Sequence, residues 1–336
     1  MSRLIAFLMR FNDRLEARVD RIVQPARWKG PHVISAFCGY GAPEKVSVQG
    51  RVLRSGGLGV STERDSRLRN FLAVARRFNS REVSGATVRG TLGGAVASTL
   101  TDDEGYFTLE FRPEAPLTPG WHDAVLELPG RDATATAPVR IVDGADFGVI
   151  SDLDDTVVVT GATKLWQMLA TVLFANAHTR LPFPGVSALY RHLTGGPRGG
   201  ADNPVFYVSS SPWNLFDVIW TFLEYRRIPL GPVFLRDWNL GILRSQHGGH
   251  KLEAIGKLFT TFPDLSFVLV GDSGEQDPEI YREVVARFPD RVLAVYIREV
   301  TGARRREKVM RLREELRAHR LDLVLARDSL AAAHHA

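Results

Sequence analysis

Three polar clusters in this chain combine residue types that can move a phosphoryl group. The first is Asp152-Leu153-Asp154-Asp155-Thr156. Side chains alternate along an extended chain, so Asp152 and Asp154 fall on the same side. Two carboxylates a few Å apart repel, which raises the pKa of one of them, and a cation between them removes that penalty. Oxygen ligands without His or Cys favour Mg2+ over zinc. With a cation present, one carboxylate can attack phosphorus while the other shuttles a proton. The plain structural alternative is an acidic turn after a strand.

The second cluster, Ser209-Ser210-Ser211-Pro212, precedes Trp213. Pro212 and Trp213 read as the opening of a helix, where a hydroxyl and free backbone N–H groups can hold an anion. Simple N-capping by Ser accounts for the same residues. The third cluster is Gly271-Asp272-Ser273-Gly274-Glu275-Gln276-Asp277-Pro278-Glu279. It offers further carboxylates, with glycines that let backbone approach a ligand; its alternative is an acidic loop capping a helix. Between the second and third, His250-Lys251-Leu252-Glu253 opens a helix. Lys251 there can reach a phosphate as a point charge, though by itself it reads as a surface lysine.

The clusters need elements to hold them. Each of the three directly follows a short apolar run, at 147–150, 205–208 and 267–270, and a fourth run spans 292–297. Helical patterns at 213–225, 252–259 and 278–288 lie between, as expected for a parallel α/β sheet. Ligands of such sheets bind beyond the carboxyl ends of the strands, so the clusters should converge. Upstream, 46–53, 86–90, 121–128 and 135–142 alternate apolar and polar residues, and a polar turn at 101–105 feeds another alternating stretch. These predict a small antiparallel β-sandwich of the transthyretin- or immunoglobulin-like kind. Helical spacing at 68–77 predicts an insertion within it.

Residues 3–23 predict an amphipathic helix, either packed on the body or lying on a membrane surface. The expected organisation is the N-terminal helix (1–30), a β-sandwich domain (31–144), an α/β catalytic domain (145–300) and a basic C-terminal helix and tail (301–336). The apolar stretch 165–177 reads as core packing or as a flap facing lipid, and it is too short to span a bilayer.

The order of acidic pair, Ser, Lys and Gly-Asp resembles the haloacid dehalogenase (HAD) superfamily. Over 145–300 it is similar to the phosphatidate phosphatase catalytic domain of the actin-patch-protein type. The resemblance implies an α/β fold with a HAD-like, Rossmann-type parallel sheet, and Mg2+-dependent hydrolysis of phosphatidate to diacylglycerol through an aspartyl-phosphate. It implies Asp152 as nucleophile and Asp154 as acid–base. Ser209, Ser210 and Lys251 would hold phosphate oxygens, with Thr156 steadying the acidic turn beside them. Asp152, Asp154 (through its carbonyl), Asp272 and Asp277 would hold the Mg2+. The intervals of 57 residues from Asp152 to Ser209 and 42 from there to Lys251 leave no room for a large cap. An open site suits a phosphorylated lipid whose bulk stays outside. A phosphatase for a soluble metabolite or a phosphoprotein, and a non-catalytic membrane or protein adaptor, are the rival readings.

Composition narrows the field further. The 336 residues include 44% apolar and 24% charged side chains, enough for a packed core. A single cysteine, Cys38, excludes an intramolecular disulfide and a Cys-rich zinc site and suits a reducing cytoplasm. The first 27 residues carry arginines throughout and no long apolar core, so no secretory signal is expected. Net charge is +5, and residues 303–320 alone hold eight Arg/Lys against three Glu. That is a basic segment on a neutral body, which argues against nucleic acid as a partner and allows peripheral contact with the inner face of a membrane; the same arginines equally suit the solvated face of a helix docked on the catalytic domain with Val309, Leu312 and Leu316 buried.

Overall fold

The computed structural model describes residues 30–54, 81–153, 186–196, 199–236, 247–318 and 321–326. The helices expected at 3–23 and 68–77, the apolar stretch at 165–177, and Asp154, Asp155 and Thr156 lie outside the described residues.

The first half is antiparallel for the most part, as the alternating pattern requires. Its strands are β1 (His32–Ala36), β2 (Gly39–Ala42), β3 (Lys45–Arg54), β4 (Arg81–Glu82), β5 (Thr87–Leu92), β6 (Ala95–Leu100), β7 (Tyr106–Phe111), β8 (Gly120–Glu127) and β9 (Thr134–Ile141). The order is β1-β3-β2-β9-β8-β5-β6, with β4 and β7 also on β3. The sheet curls until β6 lies against β7, enclosing Val48, Val88, Phe107, Leu109 and Leu126. The predicted polar turn forms for a local reason. Asp102 Oδ1 accepts the N–H groups of Glu104 and Tyr106 at 2.9 and 2.8 Å, and Gly105 takes the left-handed φ of 81° that closes it.

The second half is a six-stranded parallel sheet. Its elements are β10 (Gly148–Asp152), α1 (Val186–Gly195), β11 (Val205–Pro212), α2 (Phe216–Tyr225), β12 (Val233–Arg236), α3 (His247–Thr261), β13 (Phe267–Asp272), α4 (Asp277–Arg287), β14 (Val292–Arg298), α5 (Ala303–Ala318) and β15 (Leu323–Ala326). The order β12-β11-β10-β13-β14-β15 reverses direction between β10 and β13. Separate apolar clusters cover the two faces, which is why these strands read as unbroken apolar runs.

One expectation is corrected. Pro212 does not open the helix; the helical stretch begins one residue later, with a 3-10 turn at Trp213–Leu215. Strand β11 runs through Ser209–Ser211 to Pro212, which pairs with Arg236 after a register shift, and α2 starts only at Phe216 after a single tight turn. Proline lacks an N–H, yet it is tolerated at a strand end beside such an irregularity. The basic segment forms the expected helix, docked on the body rather than held on a membrane surface. Helix α5 buries Val309, Leu312 and Leu316, and β15 then extends the sheet beyond residue 300. Several of its charges are engaged as well: Arg305 and Lys308 both pair with Glu279, and Arg313 lies 3.8 Å from Asp322. Among the described residues no helix is long and apolar enough to cross a membrane.

The two sheets share a packed seam. Phe37, between β1 and β2, stacks on Trp213 with ring centroids 4.3 Å apart, and Tyr40 packs edge-on to Phe234 at 5.1 Å. Arg140 of β9 reaches Asp202 with a 2.7 Å ion pair. The C-terminal elements are equally integral. Burial of Val309, Leu312, Leu316, Leu321 and Leu323 contributes about 8–15 kcal/mol at about 1.5–3 kcal/mol per side chain. That is the size of a whole domain's stability, about 5–15 kcal/mol. A chain ending at Gly302 should therefore lose its cooperative thermal transition; an unchanged melting temperature by circular dichroism would place α5 and β15 outside the core.

Candidate active site

The sheet reversal sets the site, because ligands of open parallel sheets bind in the crevice beyond the carboxyl ends of the strands at such a reversal, here between β10 and β13. Asp152 ends β10, Ser209 follows the residue paired with it on β11, and Asp272 ends β13. The three clusters therefore meet at neighbouring strand ends, as their sequence context predicts. Lys251 projects from α3 into the same crevice. The helix begins at His247, so Lys251 stands one turn inside it rather than at its opening.

Lys251 Nζ donates to three carboxylates: Asp152 Oδ1 at 2.6 Å, Glu275 Oε2 at 2.7 Å and Asp277 Oδ1 at 2.8 Å. Lys251, Asp152 and Asp277 are buried, and Glu275 is the half-buried outer member. Burial alone would lower the Lys251 pKa, but the carboxylates of Asp152, Asp277 and Glu275 raise it well above the usual lysine value. The ammonium stays charged.

Glycine makes this geometry possible at one point. A Cβ on Gly271 would sit 2.6 Å from Asp277 Oδ2 and 2.9 Å from the Tyr281 ring, so only Gly lets α4 press its first residue onto β13. The same Oδ2 accepts the Asp272 N–H at 3.1 Å. Asp272 turns its own carboxylate to the loop, accepting N–H groups from Gly274 and Glu275. Burial, then the charge of Asp277, pushes the Asp272 pKa up to about 7, against the pull of those two N–H groups. Burial also raises Asp277, with Lys251 opposing it. Ser209 is buried, and its Oγ accepts the Ser211 N–H at 2.9 Å; Ser210 is half-buried beside it. On the opposite face of β10, Ser151 Oγ meets Tyr190 OH and donates to the Asp152 carbonyl at 2.7 Å, which braces the strand end.

Asp152, Glu275 and Asp277 can each turn one oxygen to within 4.8 Å of the others, a spacing that suits a metal ion. The donors are all carboxylate oxygens, which fits a hard divalent cation. Three carboxylates and one ammonium carry a formal −2, which a single divalent ion would neutralise. Of the ligands expected from sequence, Asp152 and Asp277 belong to this group, Asp272 stands beside it, and Asp154 lies outside the described residues. Glu275 was not anticipated. Its only sequence signal is the density of acids in 272–279, a loop without the periodicity that would single one out.

The ammonium is what lets three carboxylates share this space, so Lys251→Met should be severely destabilising. Removing one partner of a buried ion pair costs about 3–5 kcal/mol. The variant must then protonate a carboxylate to fold. A folded-state pKa raised above the unfolded value gives stability that is present at low pH and lost as pH rises. In chelator, the urea midpoint of Lys251→Met should thus lie further below the parent at pH 8 than at pH 5; a deficit independent of pH would show that the three carboxylates do not repel.

Comparison with known proteins bears on the same region. Residues 147–299 match the family model of the phosphatidate phosphatase APP1 catalytic domain. The chain is 30% identical over 214 residues to phosphatidate phosphatase APP1 of Saccharomyces cerevisiae, covering 62% of this chain and 36% of that protein. It is 33% identical over 170 residues to an uncharacterized protein of Schizosaccharomyces pombe, covering 48% of this chain and 26% of the relative. The chain thus spans about a third or less of the length of either relative. The residues that the family model matches include the acidic pair, the serines, Lys251 and the Gly-Asp loop, so the chain is similar to a phosphatidate phosphatase APP1 catalytic domain over the stretch that holds the site.

Proposed function

We propose that this chain is a Mg2+-dependent phosphatidate phosphatase that cleaves a phosphomonoester through an aspartyl-phosphate. The observation that carries the reading is the buried Asp152–Lys251–Asp277–Glu275 cluster at the sheet reversal, inside the region similar to the APP1 catalytic domain. We read the parallel sheet as a HAD-like, Rossmann-type fold without a large cap, and the curled sheet before it as a β-sandwich domain.

In this reading an Asp152 oxygen attacks phosphorus and the bond to the lipid alkoxide breaks. Asp154 gives that oxygen a proton, and then takes one from the water that attacks the aspartyl-phosphate, releasing inorganic phosphate. Lys251 keeps Asp152 ionised beside Asp277 and presents positive charge to the incoming phosphate. Ser209 and Ser210 stand at the neighbouring strand end for the phosphate oxygens, with Thr156 beyond the nucleophile. Asp152 and Asp277, with Glu275 and with Asp272 adjacent, are the residues to hold Mg2+, which when bound offsets the negative charge of site and substrate. Contact with the bilayer would be peripheral, through the solvated outer face of α5 or through residues 3–23, and on the cytoplasmic side.

Phosphate release from phosphatidate in mixed micelles tests the reading. Activity should vanish in EDTA and return with Mg2+. Asp152→Asn should abolish it, and Asp154→Asn should lower it by about 10²–10⁴-fold, the usual worth of acid–base help. Release from nucleotides or sugar phosphates but not from phosphatidate would favour the soluble-substrate alternative, and no release from any phosphomonoester would favour the adaptor.

A further inference from the structure

Helix α3 serves two places at once. Lys251, Ile255 and Leu258 face the parallel sheet, whereas His250, Glu253, Ala254 and Lys257 recur at three- and four-residue spacing on the adjoining side, ~100° around the axis. That second side lines a cavity of about 570 Å³ at the seam between the two sheets. This volume falls within the ~300–1,000 Å³ usual for small-molecule sites.

Its walls come from both halves of the chain. Phe37 and Phe107 of the curled sheet face Trp213 and Phe234 of the parallel unit, with Leu100 and Thr108 at the antiparallel side. Phe234 pairs in register with Val208, and Val208 with Asp152. The cavity therefore starts two strands from the nucleophile, or about 10 Å at ~4.8 Å per strand, on the same face of the sheet. Polar groups make up about half of the lining; Asp102 and Glu253 outweigh Lys257 by one negative charge, and Gln49 donates to Thr108 Oγ1 at 3.3 Å. His250 is held neutral by burial, and its Nε2 has no hydrogen-bond partner among the described residues. There is no surplus of positive charge to take a second phosphate.

We propose that this cavity receives the uncharged glyceride part of the substrate, so that the curled sheet forms half of the substrate site in place of a cap. The proposal rests on the phosphatidate reading above. Aromatic walls meet the first carbons of the acyl chains and the glycerol, and the hydroxyl, amide and imidazole groups meet the ester oxygens. The phosphate then lies at the Lys251 side of α3.

The test uses Thr108→Trp, which fills the cavity from an exposed position on β7, remote from the carboxylates. Leu100→Asp, on the exposed edge strand β6, makes the same wall polar. Each is assayed with dioctanoyl phosphatidate and with p-nitrophenyl phosphate. The ratio of kcat/KM for lipid over small substrate should fall at least tenfold in both variants, through KM. An unchanged ratio in both overturns the proposal, as does an equal shift for a sugar phosphate. Calorimetric titration with dioctanoylglycerol decides independently of turnover. Saturable binding to the parent that weakens at least tenfold in either variant supports the cavity, and no binding to the parent overturns it. A parent that binds dioctanoylglycerol but releases no phosphate from phosphatidate would instead overturn the functional reading alone.

Discussion

One buried ammonium holds this site together. Without Lys251, Asp152 and Asp277 would be two desolvated carboxylates in mutual repulsion, with Glu275 adding a third charge at the rim. With it, each has a short charged hydrogen bond. The architecture follows from that need. Lys251 must come from a helix that starts on the carboxyl side of the sheet, Asp277 must begin another, and β10 and β13 must be neighbours. Gly271 supplies the clearance that brings α4 close enough. The arrangement also leaves a residual formal −2, which invites a divalent cation and makes a metal-free site inhospitable to a phosphate dianion.

The two sheets depend on one another in a different way. Phe37 and Tyr40 put aromatic rings from the curled sheet into the core of the parallel unit, and Arg140 ties β9 to the loop before β11. The preceding sheet is thereby fixed against the parallel sheet instead of being tethered at a distance.

Much of this is legible in the residues. Strand rhythm locates β3, β5, β7, β8 and β9, and polar clusters after apolar runs locate the crevice, because periodicity and strand-end chemistry are local signals. What escapes depends on tertiary contacts. Pro212 reads as a helix start, yet it ends a strand because its neighbour Arg236 pairs with it. The segment 303–318 reads as a basic helix either at a membrane or docked on the body, and only tertiary packing decides that Val309, Leu312 and Leu316 are buried. Glu275 joins the carboxylates through a loop conformation that no spacing rule encodes, and Asp272 turns to backbone N–H groups for the same reason.

The central claim is that Asp152 is the nucleophile of a phosphoryl transfer, with the lysine-centred cluster as its setting. Acid quenching during turnover of phosphatidate in Mg2+, followed by peptide mapping, addresses it directly. The account predicts a phosphoryl group on the peptide containing Asp152, stable in acid, released by hydroxylamine as expected for an acyl phosphate, and absent in Asp152→Asn. A hydroxylamine-resistant phosphoryl group on the serine cluster, or turnover that persists in Asp152→Asn, would contradict it.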